Sequence, residues 1–309
     1  MTRERALRGA RAVFVVLTLA CAWWGFRGRW DEVGSAMAAT GPARLAASVG
    51  CVAVGLLLTG LLWRLLLARL GSEVTTRQAG AVFFVGQLGK YVPGSVWSLA
   101  VQADLGRRYD VPVRRSVTAS ALFLLVHTAT GLLVGGVLAL GGAFADLPEG
   151  PVTSWPVVVT LVGGVVLLPP VLRRAGDLLA GHGARTIFTV VDLARVVVLM
   201  AAVWTSYGIA VVLLAPDGLG LGAAVAAFAL AHAAGVLFVV APAGVGAREA
   251  VLVALLAPVL GVPGAAAAAV LLRVAHALAD FLVAGAAAAW GRWEPRPTPI
   301  REPAGVHGQ

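Results

Sequence analysis

Charge is what this sequence is short of. Only 13% of its 309 residues are Asp, Glu, Lys or Arg, against roughly 25% in a soluble globular domain. So few charged side chains cannot cover a water-facing surface, and a soluble domain is excluded. Lysine is nearly absent: Lys90 is the single one, and every other basic residue is arginine apart from five histidines. The two cysteines, Cys21 and Cys51, lie in apolar segments and offer neither metal-ligand spacing nor a disulfide framework. The histidines show no metal spacing, no Gly-x-Ser-x-Gly elbow occurs, and Gly86–Ser95 has glycine and lysine without P-loop spacing. No catalytic constellation and no cofactor site is expected, so the chain reads as a non-enzyme.

What is present is apolar. The hydrophobic share is 59% and the mean hydropathy +0.89, which puts lipid where water would be. The formal net charge of +9 might suggest nucleic acid, but its placement excludes that partner. The arginines fall in short clusters between apolar runs (Arg3, Arg5, Arg8, Arg11; Arg107, Arg108, Arg114, Arg115; Arg173, Arg174, Arg185) rather than on one continuous face.

Apolar stretches near the length that crosses a hydrocarbon core occur at 12–26, 43–67, 116–140, 156–172, 193–214 and 264–289. Trp23, Trp24, Trp63, Trp155 and Trp290 mark their ends as interfacial anchors would. The N-terminus imitates a secretory signal, but with so many later spans an uncleaved first helix is expected. Loops 106–115 and 173–192 and both termini are arginine-rich, whereas loops 141–155 and 215–222 are acidic or neutral. The positive-inside rule then places both termini in the cytoplasm of a multi-pass plasma-membrane protein, with Arg27, Arg29 and Arg44 as violations. Residues 1–293 read as one transmembrane domain and 294–309, Pro-rich and polar, as a disordered cytoplasmic tail.

Two further apolar regions, 79–105 and 223–260, are broken in the middle. The first reads Gly89-Lys90-Tyr91-Val92-Pro93-Gly94 and reaches Val111-Pro112 before a long span. The second reads Val240-Ala241-Pro242-Ala243-Gly244-Val245-Gly246 and reaches Val262-Pro263 before another. The expected fold is therefore an all-α polytopic transmembrane bundle. It has about six full spans plus two re-entrant helical hairpins related as an inverted repeat. A break at membrane depth survives only where protein or a wet cavity satisfies its backbone. Helix N-termini following the breaks would favour an anion there.

These residues resemble the flippase-like membrane domain of lysylphosphatidylglycerol synthases and related standalone membrane proteins. The resemblance rests on Gly-Gln-Leu-Gly-Lys-Tyr-Val-Pro-Gly-Ser at 86–95, Leu-Gly-Arg-Arg-Tyr-Asp-Val-Pro at 105–112 and Pro-Ala-Gly-Val-Gly-Ala-Arg-Glu at 242–249, with Arg273 fitting as well. It implies binding or translocation of an anionic lipid, an aminoacyl phospholipid or a polyprenyl-linked intermediate. Two departures stand out. The bifunctional members carry an aminoacyl-transferase domain after the membrane part, whereas this sequence ends about 20 residues past its last span, so synthesis of the lipid is not expected of it. Ala243 also stands where the family more often has glycine.

The residues expected at a lipid headgroup are Lys90, Tyr91, Pro93, Gly94, Pro242, Gly244, Gly246, Arg248, Glu249 and Arg273, with Glu249 as partner to Arg273. Lys90 could instead snorkel to the interface. Arg273, His276 and Asp280 share one face of the last helix and must point into the bundle. His276 and Asp280 could carry protons along it, or the stripe could be interhelical glue. His127 and His232 read as isolated, hydrogen-bonded packing residues, Gly131 and Gly135 as helix packing, and Asp192 and Arg195 as markers of an interface. Two rival readings remain beside a lipid carrier. One is a non-catalytic membrane partner of a lipid or cell-wall biosynthetic enzyme; the other is an embedded lipid-modifying enzyme using Glu249, His276 and Asp280.

Overall fold

The computed structural model describes residues 30–91, 97–144, 154–180, 189–215, 218–237 and 246–291, and every regular element among them is helical. In chain order these are α1 (Trp30–Arg69), α2 (Thr76–Gln87) with a 3-10 turn (Leu88–Tyr91), α3 (Trp97–Arg107) and α4 (Val113–Leu138), which runs into a π turn (Ala139–Ala143). Then follow α5 (Trp155–Val166), α6 (Pro169–Ala180), α7 (Val190–Leu214), α8 (Leu221–Leu237) and α9 (Ala247–Gly291). The expected span 12–26, the Pro93-Gly94 and Pro242–Gly244 breaks and the tail 294–309 lie outside the described residues.

Four helices are long and apolar enough to cross a membrane: Asp31–Arg69, Val113–Ala143, Val190–Leu214 and Ala247–Gly291. They contain the expected spans 43–67, 116–140, 193–214 and 264–289. The expected span 156–172 needs correction. Its helix stops at Val166, and α6 leaves at 60°. Pro169 and Pro170 have no N–H to continue the preceding turn, so the continuous apolar run becomes a bent pair. Counting that pair as one span gives five.

Two of the long helices are kinked at glycines that adopt positive φ. Gly41 (φ 72) precedes Pro42 in α1, and Gly261 (φ 68) precedes Val262-Pro263 in α9. A side chain would strain either position, and the following proline withholds a backbone donor. A similar corner precedes α4: Asp110 (φ 57) leads into Val111-Pro112.

Helices α1 and α7 run antiparallel and are tied at both ends. At one end Arg69 Nη2 meets Asp192 Oδ1 at 2.6 Å. At the other Arg44 Nη2 donates to the Ala215 carbonyl at 2.7 Å, just past the end of α7. A cation there answers both the unpaired carbonyls and the negative end of the helix dipole, a structural reason for an arginine that breaks the charge-sidedness rule. Between the ties, Ser48 and Ser206 hydroxyls donate to the Ala210 and Cys51 carbonyls at 3.1 and 2.6 Å.

The arginine-rich face is a real face. Arg115 Nη1 donates to Gly71 O at 2.8 Å, Arg114 Nε to Leu179 O at 3.2 Å, and Arg77 stacks over Trp290 at 5.3 Å. The ends of α1, α6 and α9 and the starts of α2 and α4 therefore meet on it. Trp290 is exposed there, as an anchor should be, but Trp63 is not an anchor. It is fully buried, its Nε1 donating to Ser120 Oγ at 3.0 Å while Ser120 donates to Gln102 Oε1.

Candidate functional site

The 3-10 turn after α2 leads toward the first break and is held by close approach to α3. A Cβ on Gly89 would lie 2.6 Å from Ser98 N, and one on Gly86 2.2 Å from Gln102 Cγ. The Gly86-Gln87-Leu88-Gly89 spacing thus lets α3 fold back against α2. That places Lys90 and Tyr91 at the tip of the turn, where both meet a carboxylate of α9. Lys90 Nζ is 2.6 Å from Asp280 Oδ2, and the Tyr91 hydroxyl donates to the same oxygen at 2.6 Å. Asp280 is 4% exposed and Lys90 33%. The Tyr91 ring also stacks on Phe281 at 5.4 Å.

One side of the second break carries the other charges. Gly246 is the residue before α9, and its N–H donates to Glu249 Oε2 at 2.7 Å, while Arg273 Nη1 donates to Glu249 Oε1 at 2.5 Å. Arg273 therefore pairs with Glu249. Arg248, adjacent in sequence, turns elsewhere: its Cζ lies 4.8 Å from the Phe228 ring centroid on α8. Arg273 and Asp280 lie seven residues apart on one face of α9, about 10 Å by helical rise, so the two clusters border each other. Along α9, at about 1.5 Å per residue, Asp280 and Arg273 sit about 16 Å and about 27 Å from Gly291 on the arginine-rich face. Both depths fall inside a hydrocarbon layer about 30 Å thick.

The stripe Arg273, His276, Asp280 points inward. Arg273 goes to Glu249, Asp280 to Lys90 and Tyr91, and His276 packs against Tyr207 and Phe228 at 5.2 Å each. His276 Nδ1 lies 2.9 Å from the Leu272 carbonyl. Of the expected site residues, Lys90, Tyr91, Gly246, Arg248, Glu249 and Arg273 are thus brought together with Asp280 and His276. Pro93, Gly94, Pro242 and Gly244 lie outside the described residues. The expectation that the second helix N-terminus offers its N–H groups to an anion is altered at Gly246, whose N–H is already taken by Glu249.

Sequence reading missed three things. The Lys90–Asp280 pair joins residues 190 positions apart, and no local spacing announces it. Phe228, in an apolar helix, gives no sign of supporting a guanidinium. His127 and His232 are neither isolated nor, for His127, hydrogen-bonded. Their rings stack at 4.5 Å, and both His127 nitrogens lack a partner among the described residues. They meet because Gly131 and Gly135 let α8 lie on α4: a Cβ at Gly135 would be 2.5 Å from Leu230 Cγ. The Gly131/Gly135 spacing therefore serves helix packing, as its sequence predicts.

A polytopic helical membrane protein with a cluster of charged side chains between its helices is the class that fold and site define. Residues 11–284 match the family described as lysylphosphatidylglycerol synthase TM region, so the chain belongs to that family. A search of curated proteins finds no match to it.

Proposed function

We propose that this protein binds the headgroup of an anionic lipid between its two broken helices and passes the lipid between leaflets, acting as a carrier and not as an enzyme. The observation that carries the reading is the charged cluster itself. Five ionised side chains, Lys90, Arg248, Glu249, Arg273 and Asp280, gather at membrane depth. Asp280 and its partner Lys90 lie near mid-depth, where a charge costs about 2.5–3.5 kcal/mol or more, and Arg273 with Glu249 lies nearer the far boundary, so a cluster of five needs a reason beyond packing. Lys90, Glu249 and Arg273 keep part of their surface open, as residues must that meet a ligand. Three cations against two carboxylates leave one positive charge, the complement of one phosphodiester.

We also infer an inverted repeat, which fits the same reading. In both α2–α3–α4 and α8 with the two halves of α9, a short helix reaches a positive-φ residue followed by Val-Pro before a long one: Asp110-Val111-Pro112 and Gly261-Val262-Pro263. Their packing is crosswise. α2 lies on the far half of α9, with Gly80 against Ala287, and α8 lies on α4, with Gly135 against Leu230. A headgroup would sit where the halves cross while its acyl chains stay in lipid. Both termini and the arginine-rich face would lie in the cytoplasm of a plasma membrane, beside an enzyme of lipid or cell-wall synthesis that makes or consumes the lipid.

The test is transfer of labelled phosphatidylglycerol between leaflets of liposomes holding the purified protein. The expected result is transfer by the parent, loss with Arg248→Gln and with Lys90→Gln, and none of a zwitterionic lipid. Equal transfer by parent and both variants would refute the reading.

A further inference from the structure

A second cationic region lies away from the helix breaks, on the arginine-rich face. A cleft of about 730 Å³ opens between α1, the first turn of α2 and the start of α7. Arg64, Arg69 and Arg195 line it together with Glu73, Thr75 and Gln78. Its volume is within the ~300–1,000 Å³ usual for small-molecule sites. Each guanidinium is placed by the fold. Arg64 Nε donates to the Val74 carbonyl at 2.9 Å, which holds it over the cleft. Arg69 is fixed by Asp192 at 2.6 Å, and Arg195 lies 3.8 Å from the same carboxylate. Three arginines against Glu73 and Asp192 leave one positive charge.

The walls below the cleft are apolar and face outward. On α1, Val54, Leu57 and Leu61 are exposed and follow the 3–4 spacing that leads to Arg64 and Ala68 on one helix face. On α7, Val198 is exposed one turn below Arg195 on the same face. A cationic recess at the end of an apolar track is the shape of a monoanionic phospholipid standing in its leaflet. The phosphate takes the charge and an acyl chain takes the track.

We propose that this cleft binds the phosphodiester headgroup of an anionic phospholipid from the leaflet on the arginine-rich side, as a site separate from the Lys90–Arg273 cluster. A phosphate oxygen pair meets Arg64 and Arg195, and the glycerol hydroxyls meet Thr75 and Gln78. Arg69 is committed to Asp192 and contributes field rather than contact. The site takes its lipid sideways from the bilayer and stands whether or not the central cluster moves lipid.

Native mass spectrometry of the detergent-purified chain, titrated with phosphatidylglycerol or phosphatidylcholine, tests this. In a K90Q/R248Q background, which removes the central cluster's contribution, phosphatidylglycerol should be retained at least fivefold better than phosphatidylcholine, and adding R64Q/R195Q to it should abolish that preference. Glu73→Gln, which removes a negative charge from the cleft without touching an arginine, should raise retention about twofold. It decides the matter if the quadruple variant fails to fold. Glycerophosphoglycerol, the same headgroup without acyl chains, should not displace the lipid at equal concentration; displacement would mean a soluble phosphodiester site and overturn the proposal. No preference for phosphatidylglycerol in that background, equal retention by the folded quadruple variant, or no gain from Glu73→Gln would overturn it as well.

Discussion

The starts of α7 and α9 are built alike. In each, a carboxylate three residues into the helix reaches back to the N–H of the residue before it and is met by an arginine from another stretch of helix. For α7 the set is Thr189, Asp192 and Arg69, with Asp192 Oδ2 accepting from Thr189 N at 3.0 Å. For α9 it is Gly246, Glu249 and Arg273. The surroundings separate them. Asp192 also accepts from the Thr189 hydroxyl at 2.8 Å and is 0% exposed. Glu249 and Arg273 are 26% and 34% exposed, at membrane depth, with Arg248 alongside. The same ion-paired cap serves as a closed tie in one place and as an open, unsaturated edge in the other. An ion pair alone therefore says nothing about role; the accessible surface it keeps does.

That contrast can be broken by experiment. The largest effect on stability should come from Arg69→Ala, which strips the main counter-charge from a fully buried carboxylate. Such losses run to about 3–5 kcal/mol, and Arg195 remaining at 3.8 Å argues for the lower end. A thermal unfolding midpoint in detergent should fall sharply, while lipid transfer per folded molecule stays near the parent's. Gly89→Ala comes next. Its new Cβ would meet backbone, not a flexible side chain, at a cost of about 1–3 kcal/mol, and it should lower stability and transfer together.

Arg273→Gln sharpens the comparison. Glu249 keeps its Gly246 N–H and has Arg248 alongside, so the stability loss should stay below that of Arg69→Ala. Lipid transfer should nevertheless drop on the order of tenfold, equivalent to about 1.4 kcal/mol. A large stability loss with unchanged transfer would make the α9 start a second structural tie. The smallest effect is expected from Arg44→Gln at the far end of α7. A half-buried cation at a helix C-terminus contributes about 0.3–1 kcal/mol and at most about 2, and the Gln can keep a hydrogen bond to the Ala215 carbonyl, so only a small shift in the unfolding midpoint is expected.

Much of this was legible beforehand. Spans 43–67, 116–140, 193–214 and 264–289 follow from apolar length, and the inward stripe of Arg273, His276 and Asp280 follows from helical spacing. The Glu249–Arg273 pair could be reasoned because two opposite charges in lipid must find each other. The bend at Leu167-Leu168 was missed because hydropathy counts apolar residues and ignores what Pro169-Pro170 does to the backbone. Trp63 was misread for a related reason: tryptophan near a span end suits an interface, but here it finds a hydroxyl partner in the core.

By itself the sequence determined that this chain lives in lipid, which family it belongs to, and which few charged residues had to be sheltered. Those are consequences of composition and of 3.6-residue periodicity, and both are local. Only the tertiary structure decided that Lys90 shares Asp280 with Tyr91, that Arg248 rests on Phe228, and that Asp192 is sealed while Glu249 stays open. Those outcomes depend on how glycine-lined helices approach one another across the bundle, a distance that no spacing along the chain encodes.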